Sequence, residues 1–237
     1  MRKQMIALAL LALLPFAASA QEQEEDDSGF SWNAAVTSDY VFRGVSQNSE
    51  VPAIQGGIDY SWTNGFYVGA WASQVDFDAP GTPNTEIDTY VGYSWDVSDA
   101  VNLDFQLVRY NYLDYGSEYG NPAYNELIVK GTFVEDFSAT LAYTNDVYAS
   151  GTNSLYYGVG YDHEFSNGVG VHANAGRTQF DTDEIGLEDY TDWGAHVSFP
   201  LGVLEGSFGY VGNDGNGRDN FGELADSRFV LTVSYEH

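Results

Sequence analysis

From Ser31 to His237 the chain breaks into twelve short segments in which apolar and polar residues alternate, and the connections between them alternate short with long. A period of two is the signature of a strand with one apolar and one polar face. Alternating connection lengths then predict an all-β fold: an antiparallel up-and-down transmembrane barrel of twelve strands, with short turns on the periplasmic side and longer loops outside.

The N-terminus fits export. Arg2 and Lys3 precede the apolar run from Met5 to Ala17, and Ala18-Ser19-Ala20 is a small-residue cleavage site, so residues 1–20 read as a signal peptide. That run is shorter than the roughly 20 residues of a spanning helix, and no later stretch qualifies. Residues 21–29, starting QEQEEDDS, read as an acidic disordered tail, and residues 30–237 as a single barrel domain. The expected location is the bacterial outer membrane.

Cysteine is absent, so disulfides do not hold this exported chain. Without Arg2 and Lys3, six basic residues face thirty-five acidic ones. Such an excess of acid excludes nucleic acid as a partner and suits cations, either divalent ions bridging to lipopolysaccharide or a permeating solute. Outer-membrane lipid, lipopolysaccharide and small solutes are the expected partners.

Facing follows from the alternation. Ile87, Thr89, Val91, Tyr93 and Trp95 form an outward set against Glu86, Asp88, Tyr90, Gly92 and Ser94. Trp32, Ala34, Val36, Ser38, Tyr40 and Phe42 form another. The segment 66–75 is apolar on both faces, and its orientation stays open. After Leu107 the apolar parity slips to Val108, Tyr110 and Tyr112, and a bulge there would turn Arg109 inward. The expected lumen lining is Asp39, Arg43, Gln55, Asp59, Glu86, Asp88, Asp104, Gln106, Arg109, Glu126, Lys130, Asp146, Asp162, Glu164, His172, Asn174, His196 and Arg228.

Five short connections (around Asn64-Gly65, residues 96–100, Glu135-Asp136, Ser166-Asn167-Gly168 and Pro200-Leu201-Gly202) alternate with six long ones, placing both termini on the short-turn side. Aromatics crowd that side: Trp32, Trp62, Phe66, Trp95, Phe133, Phe137, Phe165, Phe199 and Tyr235. Such a girdle belongs at a membrane interface.

Three stretches carry a resemblance. Thr37-Ser38-Asp39-Tyr40-Val41-Phe42-Arg43-Gly44-Val45-Ser46-Gln47, Pro52-Ala53-Ile54-Gln55-Gly56-Gly57 and Gly65-Phe66-Tyr67-Val68-Gly69 are similar to the TorF-type porin family (Gcw_chp). The resemblance implies an outer-membrane barrel with porin activity and brings no catalytic residues. The chain departs from the common terminal Phe of outer-membrane strands by ending Tyr235-Glu236-His237.

Barrels of about eight strands are filled by side chains, while those of about 16–18 hold an aqueous channel. Twelve lies between. Inward glycines (Gly57, Gly92, Gly158, Gly160, Gly170, Gly176, Gly194) suit either an open bore or relief of strain in a bent wall. The expected function is a porin-like channel for small solutes, with acidic lining favouring cations or neutral solutes. The alternatives are a closed structural or adhesion barrel working through its loops, or a lipase.

For the lipase, His196-Val197-Ser198 with Asn174 on the next strand has phospholipase-like spacing. Parity points these residues into the lumen near the periplasmic end, so no enzyme is expected. His163, His172 and His196 are not expected to cluster on a metal, and no cofactor is expected. Residues 168–173 imitate a dinucleotide fingerprint but begin a strand. Residues 214–219 echo a calcium loop, with Arg218 where an oxygen ligand belongs. Asp181, Asp183, Glu184, Glu188 and Asp189 form an acidic outer loop.

Overall fold

A computed structural model describes residues 29–77, 79–116, 121–181 and 186–237. The segment read as a signal peptide, nearly all of the segment read as an acidic tail, and Asp183 and Glu184 lie outside the described residues.

Twelve antiparallel strands close into a barrel. They are β1 (Gly29–Thr37), β4 (Ala53–Ser61), β5 (Phe66–Gln74), β6 (Thr85–Ser98), β7 (Val101–Leu113), β8 (Tyr124–Phe133), β9 (Phe137–Thr144), β10 (Ser154–Glu164), β11 (Gly170–Phe180), β12 (Tyr190–Leu201), β13 (Leu204–Asn213) and β14 (Arg228–Glu236). Two short strands, β2 (Val41–Phe42) and β3 (Val45–Ser46), pair as a separate hairpin within the first outer loop. β1 pairs with β14 to complete the ring, and Trp32 and His237 exchange backbone hydrogen bonds of 3.0 Å. The Tyr235 ring packs 5.2 Å from Trp32 at this seam.

The alternation becomes burial directly. On β6, Glu86, Asp88, Tyr90 and Gly92 are buried while Thr89, Val91 and Trp95 are exposed. Large apolar side chains such as Ile54, Ile58, Val68, Leu107, Leu127, Leu141, Val159, Phe208 and Leu231 lie exposed on the outside. An apolar outside around a polar inside inverts the arrangement of a water-soluble barrel, and it is the surface a bilayer covers. Trp62, Phe66, Trp95, Phe133, Phe137 and Phe165 are exposed at the short-turn end, as a membrane girdle requires. The bacterial outer membrane is the location these features define.

The orientation left open for residues 66–75 is resolved: Tyr67, Trp71 and Ser73 are buried inside, while Phe66 and Val68 face out. Three expectations fail. Register runs unbroken from β6 to β7 and β8 through Leu107, Val108 and Arg109, so no bulge forms there. Arg109 is exposed on the outer face, with Nε donating to Asn111 at 3.1 Å and a terminal nitrogen donating to Asn125 at 3.2 Å. Val108 and Tyr110 are apolar because the outer part of the lumen is itself packed. Asp146 is not on the wall either: β9 ends at Thr144, and the Asp146 carboxylate accepts from the Gly151 amide at 2.7 Å within a loop. Tyr40 and Phe42 do not continue β1 outward. The chain leaves the wall after Thr37 and carries both rings into the barrel.

Candidate functional site

The site is the lumen, and its geometry depends on residues 38–52, termed loop 1. Thr37 Oγ1 donates to the Asp39 carbonyl at 2.8 Å, which bends the chain inward at the end of β1. The β2–β3 hairpin then crosses the interior. Its tip needs a glycine: Gly44 has φ +78°, and an added Cβ would lie 3.0 Å from the Gly212 carbonyl and 2.9 Å from Asn213 Nδ2.

Long-range polar contacts fix the loop on two sides. Arg43 spans to β8 and donates to both carboxylate oxygens of Glu126 at 3.0 and 2.9 Å. The guanidinium also lies 4.3 Å from the centre of the Tyr156 ring on β10. On the other side, Arg228 of β14 donates to Asp39 at 2.7 Å, and Asn213 of β13 donates to the Gly44 carbonyl at 2.8 Å. Ser46 Oγ donates to Asp39 at 2.7 Å from within the loop. Burial holds the Asp39 carboxyl above its ordinary pKa, against the opposing pull of Ser46 and Arg228.

The loop divides the lumen. Towards the long-loop end, Tyr40, Trp71, Val108, Tyr110, Tyr124, Ile128 and Tyr156 pack as one buried cluster. Val45 joins a second with Val147, Phe180, Tyr190 and Ala225, covered by the short helix α1 (Gly215–Phe221). Asp214 caps that helix by accepting from the Gly217 amide at 3.1 Å, so the stretch resembling a calcium loop is a helix start. Towards the short-turn end, Lys130, Asn174 and His196 are half-buried, Gly160 adds no bulk, and the Asp162 side chain is 53% exposed. This end is a polar cup open to the periplasmic side.

The other residues named from sequence can now be placed. Asp59 accepts from the Tyr90 hydroxyl at 2.6 Å and Asp104 from that of Tyr67 at 2.8 Å. Gln55 donates to Ser73 Oγ at 3.1 Å. Glu86, Asp88 and Gln106 are buried on the inner wall, and Glu164 is exposed at the rim of the cup, opposite Gly170. Asp39 and Arg43 reach the interior on loop 1 rather than on a strand. Arg109 and Asp146 do not reach it.

In the cup, residues of three neighbouring strands form a chain that sequence spacing did not indicate. Asp162 of β10 lies 2.9 Å from His172 Nδ1 on β11, and His172 Nε2 lies 3.3 Å from Ser198 Oγ on β12. His196 does not join Ser198; its ring stacks on His172 with centroids 4.3 Å apart. The strand register carries the missing signal, since Asp162 faces His172 and His172 faces His196 across adjacent strands. His163 lies apart, 3.1 Å from Asp136. Among the described residues no group of three or more His, Cys, Asp or Glu is placed to hold a metal ion.

The barrel is similar in fold to solved porin structures. The KdgM porin superposes with a TM-score of 0.52 at 8% identity, covering 87% of this chain and 97% of that one. A KdgM porin in complex with disordered oligogalacturonate gives 0.52 at 9% identity, covering 87% and 97%. A NanC porin structure gives 0.51 at 11%, covering 87% and 98%. At these identities the likeness is one of fold. Among curated proteins no relative matches. Residues 22–235 match the family described as "Bacterial protein of unknown function (Gcw_chp)", and the chain belongs to that family.

Proposed function

We propose that the barrel is an outer-membrane channel for passive diffusion of small solutes, favouring cationic or neutral solutes over anions, with loop 1 as its constriction. The carrying observation is the charge of the interior. Asp39, Asp59, Glu86, Asp88, Asp104, Glu126 and Asp192 are all buried there, and the basic groups that face them are Arg43, Lys130 and Arg228. Carboxylates lining a narrow passage repel anions and concentrate cations. The KdgM porin is solved with an oligogalacturonate; the interior here is itself acidic, so a polyanion does not suit it.

The test is the purified protein in planar bilayers under a salt gradient. Discrete conductance steps with a cation-selective reversal potential are expected. An anion-selective potential would refute the charge argument.

One observation favours a second reading, a closed structural barrel working through its outer loops: the outer half of the interior is filled. Absence of steps at any voltage, including after release of loop 1, would support it. An enzyme reading draws on Asp162, His172 and Ser198, whose order is that of a serine-hydrolase triad. Ser198 is only 1% exposed, and its strand is paired on both sides, which occupies the backbone N–H groups an oxyanion would need. The chain of contacts therefore reads as fixing the His172 ring, and catalysis forms no part of the proposal.

A further inference from the structure

Two arginines among the described residues lie on the lipid-facing side of the wall, and they are matched differently. Arg177 of β11 lies 3.4 Å from the Asp189 carboxylate. Arg109 of β7 has no acidic partner among the described residues. Its Nε donates to Asn111 at 3.1 Å and one terminal nitrogen to Asn125 at 3.2 Å, both neutral amides. Asn111 is itself fixed, donating to the Ile87 carbonyl at 3.0 Å. Thr89, Arg109 and Asn125 stand in one row across β6, β7 and β8. The second terminal nitrogen of Arg109, the Asn125 amide nitrogen and the Thr89 hydroxyl make no hydrogen bond among the described residues.

Their height on the barrel gives these donors a partner. Leu107 of β7 and Leu127 of β8 hold the preceding outward positions, and Leu127 pairs with Tyr143, an exposed ring of the kind found at a membrane interface. Arg109 and Asn125 come next towards the long loops. A guanidinium at that boundary reaches the headgroup layer, and its fork of free N–H donors matches a phosphate. Beside it the wall is recessed. Register sets Ile58, Ala70, Thr89 and Arg109 in one row and Gly56, Ala72, Ile87 and Asn111 in the next. Gly56, Ala70 and Ala72 add little bulk there, and with Trp32, Ile58 and Ile87 they line an apolar groove of about 460 Å³.

We propose that Arg109, Asn125 and Thr89, with this groove, bind a phosphorylated lipid of the outer leaflet, its phosphate on the guanidinium and one acyl chain in the groove. Charge decides the headgroup. The row offers a cation backed by amide and hydroxyl donors, with no carboxylate among the described residues, on a chain that has thirty-five acidic residues. The groove decides that the phosphate belongs to a lipid, since a free phosphate leaves it unfilled. Ile87 joins the two parts: it borders the groove and accepts from Asn111, which orients Arg109. The site faces away from the lumen, so it stands apart from the channel reading and conductance does not report on it.

The test is native mass spectrometry of the purified, delipidated protein in detergent micelles, titrated with the bisphosphorylated lipid A. Dephosphorylated lipid A and inorganic phosphate serve as comparison ligands. Saturable retention of lipid A is expected, with the dephosphorylated form held about tenfold or more weakly and inorganic phosphate failing to displace it. Arg109→Ala should weaken retention about tenfold or more, as loss of a charged hydrogen-bonding group does, and Arg109→Lys by less. Ala72→Phe, which fills the groove from the lipid side and leaves the arginine in place, should weaken it severalfold. Arg177→Ala should bind as wild type does. Five results would each overturn the site: no saturable binding, unchanged affinity in Arg109→Ala, unchanged affinity in Ala72→Phe, an equal loss in Arg177→Ala, or displacement by inorganic phosphate.

Discussion

The two halves of the lumen are built on the same alternation and reach opposite states. Towards the outside, inward positions carry Tyr110, Tyr124, Ile128, Tyr156 and Trp71, and loop 1 fills what remains between them. Towards the periplasm, inward positions carry Gly160, Asn174, Ser138 and Thr140, and the wall stays partly open. A period of two decides which residues face inward, and side-chain volume decides whether the space closes. The outer half is held by two charged latches, Arg43–Glu126 and Arg228–Asp39, and the cup by hydrogen bonds along its wall.

The sharpest way to break this contrast is Arg43→Ala. It leaves Glu126, 1% exposed, without its cation, and removing one partner of such a pair costs about 3–5 kcal/mol. Loop 1 should loosen, read as faster amide exchange over residues 38–52, while exchange in the cup strands stays at the wild-type level.

Glycines sharpen the contrast at a smaller scale. A Cβ at Gly176 would fall on the hydroxyl end of the Tyr156 side chain, which is packed under Arg43. Gly176→Ala should therefore destabilise by about 1–3 kcal/mol in urea unfolding from micelles, as overpacking does. At Gly160 the one close approach of a Cβ is to Ser138 Oγ at 2.6 Å, a rotatable hydroxyl, with the next atoms at 3.8 Å. Gly160→Ala should cost about 1 kcal/mol or less. A larger cost at Gly160 than at Gly176 would contradict the division into filled and open halves.

The smallest effect is expected at Arg109→Ala. Arg109 touches neither half, and losing its exposed bonds to Asn111 and Asn125 should change stability by about 0.5 kcal/mol or less. Its removal should also leave conductance and ion preference unchanged. A shift in reversal potential would place Arg109 on the solute path and overturn its outward assignment.

Strand number, closure and most facings were legible because a barrel wall must alternate between lipid and lumen. The legible part fails where an inward face is itself apolar: Val108 and Tyr110 imitate an outward set, and the imitation produced a false bulge at Arg109. Loop 1 was hidden for another reason. Tyr40 and Phe42 keep the parity of β1, while the residues that draw the chain inward, Glu126, Asn213 and Arg228, lie 83, 169 and 189 positions from their partners. Asp146 was misplaced by a strand boundary, since alternation does not show where pairing stops. The Asp162–His172–Ser198 chain needed the register between three strands, which turn spacing alone does not fix to the residue.

The central claim, an acidic lumen narrowed by loop 1, is tested most directly by bilayer recordings of wild type and Arg43→Ala side by side in a potassium chloride gradient. The account predicts small or infrequent steps for wild type, larger and more frequent steps for Arg43→Ala, and cation-selective reversal potentials for both. Equal conductance in the two proteins, or an anion-selective potential in either, would contradict it.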